Sequence, residues 1–133
     1  MKMLTILSIL MLFSLSLKAP SDNRAVIIQP EAIQPYEALF DITCKVESSH
    51  RPNAIGDNGQ SFGISQIQQI RLDDYFNLTG IRYTTDDCFN VDVSKEIWIY
   101  YACQFQPFEY KKICKDWNKS TTDRYWLKIN KHL

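Results

Sequence analysis

"CKVESSHRPNAIGDNGQSFGISQIQ", residues 44–68, begins as the end of a helix, becomes a turn-rich loop and then turns apolar again. Upstream, Leu39, Ile42 and Val46 fall on one stripe with Phe40 and Cys44 beside them, which predicts a helix over Tyr36–Ser49. Pro35 suits its first turn and Pro52 blocks its continuation. Glu47 follows Cys44 by three residues and Phe40 by seven, so it emerges beside the apolar stripe rather than opposite it. An acid is unexpected at that point, because the negative end of the helix macrodipole favours cations.

The loop "RPNAIGDNGQSFG" carries turn signals at Pro52-Asn53, Ile55-Gly56 and Asp57-Asn58-Gly59, and the last of these predicts a tiny hairpin. A second helix is expected from about Ser65 to a C-cap at Gly80. "VSKEIWIYYACQF" reads as a buried third helix, and Pro107 opens a fourth through Trp117. Ser120 and Asp123 have capping-box spacing before a last amphipathic helix running to Leu133. Nothing repeats, and the fold class expected is mainly α with one irregular loop after the first helix.

The first residues read differently. Lys2 followed by an apolar and hydroxyl run from Met3 to Leu17 has the form of a secretory signal peptide over residues 1–19, too short for a membrane span. Ser14-Leu15-Ser16 and Ala19 both offer small residues for cleavage, and an uncleaved anchor is the alternative. Export to a periplasm or the extracellular space follows. A leader is expected over 20–34, punctuated by Pro20 and Pro30, and the folded domain over 35–133.

The chain has 15 basic and 15 acidic residues; loss of Lys2 and Lys18 leaves 13 against 15, or −2, which argues against nucleic acid as a partner. Seven basic residues gather between Pro107 and Leu133, read as solvated helix faces, with attraction to an acidic polymer as the alternative. Cys44, Cys88, Cys103 and Cys114 allow up to two disulfides in an exported domain, or four thiols packed in the core. No CxxC pair or Cys/His ligand spacing suggests a metal.

Glu47-Ser48, the Asp57-Asn58-Gly59 loop and Gly63-Ile64-Ser65-Gln66-Ile67 together resemble the SLT-type lytic transglycosylases of the goose-lysozyme-like group. In that family a helix ends in Glu-Ser, a turn-rich loop follows, and Gly-Leu-Met-Gln-Ile comes next. Trp117-Asn118-Lys119-Ser120 falls where the family has Ala-Tyr-Asn-x-Gly, with Trp117 in place of the tyrosine and Ser120 in place of the glycine. The resemblance covers Pro35 to the end and implies a lysozyme-like helical domain, monomeric, with no cofactor. It implies that Glu47 protonates the glycosidic oxygen between N-acetylmuramic acid and N-acetylglucosamine in peptidoglycan. The ionised Glu47 would then take a proton from the muramic acid C6 hydroxyl, giving a 1,6-anhydro end. Partial burial and the helix dipole both raise a carboxyl pKa, as such an acid requires.

Ser48, Gln66 and Asn118 match residues that hydrogen-bond the acetamido sugars, and Gly63 either admits the sugar closely or relieves crowding between loop and helix. An indole at Trp117 cannot accept a hydrogen bond as a tyrosine would. Tyr75, Tyr83, Trp98, Tyr100 and Tyr101 are core residues or the floor of a sugar groove, and His50 is a solvated loop residue or a modulator of Glu47. Three other readings stand beside the transglycosylase. A lysozyme would use water with Asp57 as second carboxylate, in place of Asp57 as a turn former. A module without activity would only bind the wall, and an active enzyme would serve a secretion or conjugation apparatus. The sequons at Asn77 and Asn118 would matter only in a eukaryotic secretory route.

Overall fold

The computed structural model describes residues 30–133, with side chains from residue 34 onward. Along the chain come α1 (Pro30–Ser48), β1 (Ile55–Gly56), β2 (Ser61–Phe62), β3 (Ile67–Gln68) and α2 (Gln69–Thr79). A 3-10 turn at Asp86–Phe89 precedes α3 (Val91–Ala102), α4 (Tyr110–Asn118) and α5 (Arg124–Asn130). The described residues are therefore mainly helical, with one small sheet. Among them no helix is long and apolar enough to cross a membrane. The signal peptide expected over 1–19 and most of the expected leader lie outside the described residues. The leader's last residues are already helical, because α1 starts at Pro30 and runs through Pro35.

Pro35 cannot donate a helical hydrogen bond, but packing that begins one residue later outweighs the loss. Tyr36, Leu39, Phe40 and Cys44 are buried on one face of α1, and the Tyr36 and Tyr110 hydroxyls donate to the carbonyls of Phe105 (2.8 Å) and Pro35 (3.1 Å). Helix α1 packs on α3 and α5, and α4 on α3 and α5. The main core joins these α1 residues to Trp98, Ile113, Tyr125 and Ile129. A second cluster, built on Ile67, Leu72, Tyr75, Cys88, Ile97 and Tyr101, lies under the sheet and α2, and Trp117 packs against both.

The hairpin forms where the turn residues direct it. Ile55 pairs with Phe62 and Gly56 with Ser61, while Asp57 and Asn58 take left-handed φ values of 48° and 55°, which Asp and Asn tolerate. A third strand extends this hairpin beyond what the turn signals imply: Ser61 pairs with Gln68 and Phe62 with Ile67. The second helix starts at Gln69 instead of near Ser65, because Gln66 is left-handed (φ 57°) and Gln68 extended (ψ 155°), neither of which continues a helix. Gly80 closes α2 at φ 76° as expected.

Two other expectations are corrected. Asp123 does not close a capping box; its carboxylate is held by Lys111 and Lys115 of α4, each at 2.7 Å, and its side chain caps nothing. With Lys112 on Glu109 and Lys119 on Asp116, much of the basic C-terminal region is paired locally, as solvated helix faces would be. All four cysteines are free thiols. Cys44 and Cys114 lie in the main core and Cys88 in the second, so they pack as small apolar side chains. Burial pushes these three thiols up to about 12.

Candidate active site

Helix α1 ends because Ser49 and His50 adopt left-handed φ values of 54° and 59°, with backbone N–H groups returned to the carbonyls of Lys45 and Cys44. Glu47 therefore sits in the last turn, on the same face as Phe40 and Cys44. It opens into a cleft of about 280 Å³ whose walls come from four parts of the chain. Asp57 and Ser61 come from the hairpin, Gln66, Ile67, Gln68, Ile70, Arg71 and Asp74 from β3, the residue before it and α2, and Trp117, Asn118 and Lys119 from the end of α4.

The Glu47 carboxyl is partly buried, and its pKa rises from the ordinary 4.5 to about 6. Desolvation is the largest cause; the Asp57 carboxylate adds to it, while Tyr125 and Lys128 oppose it. Tyr125, from α5, places its buried hydroxyl against Glu47, although it closes no hydrogen bond of normal length. Burial and the adjacent carboxyl push the phenol upward, so it stays protonated and able to donate. Tyr125 is the functional candidate that sequence reasoning missed, appearing there only as part of the last helix. A hydroxyl on an otherwise apolar helix face, with Ile129 one turn on, was the available signal.

Gln66 lies in the cleft wall. Its side-chain amide donates to the carbonyls of Gly63 (2.9 Å) and Ala54 (3.3 Å), which fixes the amide plane. A Cβ on Gly56 would come within 2.1 Å of the Gln66 Oε1, so a larger residue there would push this side-chain amide out of its position. Asp57 accepts from the Ser61 hydroxyl and, at 3.4 Å, from Gln68. It serves both the turn and the cleft rim.

Of the residues singled out from sequence, Glu47, Gln66, Trp117 and Asn118 meet in this cleft. Ser48 and Gly63 do not line it. Ser48 is buried, donating to the Ile64 carbonyl at 2.7 Å and accepting from the Arg51 N–H at 3.2 Å, so it fastens the helix end to the loop. Gly63 (φ 77°) lies against the 3-10 turn, where a Cβ would stand 1.9 Å from the Cys88 carbonyl oxygen. Of the two roles open to Gly63, relief of crowding is the one seen. His50 is exposed, 3.9 Å from Asp41, and does not border the cleft. Trp98, Tyr75 and Tyr101 are core, and the Tyr75 and Tyr83 hydroxyls donate to Glu96. No protein-family model, curated protein or solved structure matches this chain.

Arg71, Asp74 and Lys119 also line the cleft, and no motif in the sequence points to them. Arg71 is buried, and its Nη2 donates to the carbonyls of Asp116 (3.1 Å) and Trp117 (2.9 Å). Its guanidinium lies 4.2 Å from the Tyr101 ring centre and 4.9 Å from that of Trp117.

Proposed function

We propose that this chain is an exported peptidoglycan lytic transglycosylase with a lysozyme-like helical fold, in which Glu47 acts first as acid and then as base. The observation that carries the reading is a single partly desolvated carboxyl, protonated up to about pH 6, opening into a cleft beside Gln66, Trp117 and Asn118. As acid, Glu47 gives its proton to the glycosidic oxygen while the bond from the muramic acid anomeric carbon to that oxygen breaks. The Glu47 carboxylate then takes the C6 hydroxyl proton, and O6 bonds to the anomeric carbon. The proton count closes, and the carboxyl returns to its starting state. The reaction consumes no water. The Tyr125 hydroxyl, beside the carboxyl, stabilises its ionised form between the two steps.

A second reading has its own observation: Asp57 borders the same cleft and raises the Glu47 pKa, so a second carboxylate acts on the acid from the cleft wall, as hydrolysis by water requires. We favour the first reading because Asp57 is engaged by Ser61 and Gln68. Mass analysis of muropeptides released from purified sacculi separates the two. Anhydro ends are one water lighter than reducing ends; a product set of reducing ends alone assigns the reaction to hydrolysis. A zymogram run beside Glu47→Gln tests the enzyme against a module that only binds the wall. Equal clearing by both proteins, or none by either, defeats the catalytic role. Service to a secretion or conjugation apparatus is compatible with either chemistry.

A further inference from the structure

We infer that Arg71 is a positioning residue for glycan recognition, holding Trp117 and Asn118 in the cleft wall; the inference rests on the glycan reading above. The end of α4 needs an outside partner. Its last carbonyls have no intrahelical donors, and the helix closes on Lys119 in the left-handed region at φ 51°. Arg71 crosses from α2 to supply the donors, with Nη2 shared between the Asp116 and Trp117 carbonyls. A cation at a helix C-terminus is also favoured by the macrodipole.

Capping alone does not account for a guanidinium in this place. Its side chain is 9% exposed, and Nη1 makes no hydrogen bond, only an ionic contact of 3.7 Å with Asp116. Burying a charge with a nitrogen left unbonded is costly, and an exposed lysine would neutralise the same helix end with less desolvation. What a guanidinium provides and an ammonium does not is a flat, weakly hydrated cation that can lie over aromatic rings while one of its nitrogens donates. Here the guanidinium lies against the Tyr101 and Trp117 rings while Nη2 holds the Trp117 carbonyl, so ring and main chain of one residue are fixed together. Tyr101 completes the clamp by donating to the Arg71 carbonyl (3.3 Å) and the Asp74 carboxylate (3.2 Å). Trp117 stands where the resembled family has a tyrosine. The bulkier indole, with no hydroxyl to anchor it, is held by Arg71 instead.

The test is a double-mutant cycle on binding. Arg71→Lys, Trp117→Ala and the double variant are made in a Glu47→Gln background that prevents turnover, and each is titrated with the tetramer of N-acetylglucosamine by calorimetry. Arg71→Lys should weaken binding on the order of tenfold. In the Trp117→Ala background the same change should weaken it by less than about twofold, because the group it positions is gone. An equal factor in both backgrounds, or no weakening by Arg71→Lys, overturns the inference and leaves the enzyme reading standing if the parent clears peptidoglycan. A Glu47→Gln protein that binds no tetramer overturns this inference, and the glycan reading falls with it only where the unsubstituted protein also leaves peptidoglycan uncleared. Melting curves accompany the titrations. An Arg71→Lys protein that melts below the assay temperature assigns Arg71 to folding and overturns the positioning role.

Discussion

Glu47 carries a burden in the folded protein that its neutral isostere does not, and Glu47→Gln exposes it without any substrate. Burial raises the carboxyl pKa from 4.5 to about 6, so the folded state binds this proton more tightly than the unfolded chain does. Below 4.5 the group is protonated in both states and costs nothing. Between 4.5 and about 6 the unfolded chain has released a proton that the folded protein still holds, so stability falls as pH rises. Above about 6 the whole penalty is present. The gap between the two values corresponds to about 2 kcal/mol, and solvent reaching the open cleft screens this to about 1–2 kcal/mol.

A glutamine keeps the shape and remains neutral at every pH. Glu47→Gln is therefore expected to be more stable than the parent by about 1–2 kcal/mol at pH 7, or roughly 5–10 °C in Tm. At pH 4 the two should unfold together. Urea unfolding at both pH values measures the difference directly. A variant no more stable than the parent at pH 7, or one stabilised equally at pH 4 and pH 7, refutes the claim that the folded protein disfavours the ionised carboxyl. The acid chemistry would lose its physical basis with it.

Other expectations concern neighbouring residues. Tyr125→Phe removes a group that favours ionised Glu47, so the alkaline limb of the kcat/KM–pH profile should move upward from about 6 toward roughly 7; a downward move would contradict the assignment. Gly63→Ala places a methyl 1.9 Å from the Cys88 carbonyl oxygen at a left-handed position, and should abolish soluble folded protein, read by circular dichroism. Ser48→Ala should cost about 1–3 kcal/mol in urea unfolding and leave KM for glycan unchanged, since the hydroxyl holds Ile64 and does not border the cleft. A thiol reagent such as Ellman's should label Cys103 first in the native protein, with Cys44, Cys88 and Cys114 reacting only on unfolding.

What is legible in the sequence is what neighbouring residues decide. Pro52 bars any longer helix locally, Asp57-Asn58-Gly59 turns the chain locally, and Gly80 ends α2 locally. The stripe through Phe40 and Cys44 puts Glu47 on a buried face from spacing alone, because three- and four-residue periodicity is a property of the helix itself. Misreadings arise where a distant element decides. The second helix begins late because Gln66 must turn left-handed for its amide to reach Gly63 and Ala54, and no local propensity encodes that requirement. Ser48 and Gly63 belong to the motifs that carry the resemblance, yet they act through contacts with Ile64 and the 3-10 turn. The motif marks their importance, not their role.

The same distinction explains why the acid's environment is only half visible in the sequence. Desolvation of Glu47 follows from its position on α1, but the groups that adjust it come from elsewhere: Asp57 from the hairpin, Tyr125 and Lys128 from α5. These groups oppose one another, two favouring the charged form and one the neutral. The pKa near 6 is thus a balance among elements that pack together only in the folded domain, and α5 is held to α1 by the buried Tyr125 and Ile129 themselves. A mutation that loosened α5 would free the acid's regulator and its hydrophobic cover at once, letting water reach the carboxyl. Desolvation is the largest influence, so the net change would lower the pKa toward its ordinary value even though two lowering neighbours, Tyr125 and Lys128, had been removed. Tyr125→Phe, which keeps the cover and removes the hydroxyl alone, should shift it the other way. The opposite signs of these two perturbations separate the packing cover from the polar influence of the hydroxyl at one carboxyl.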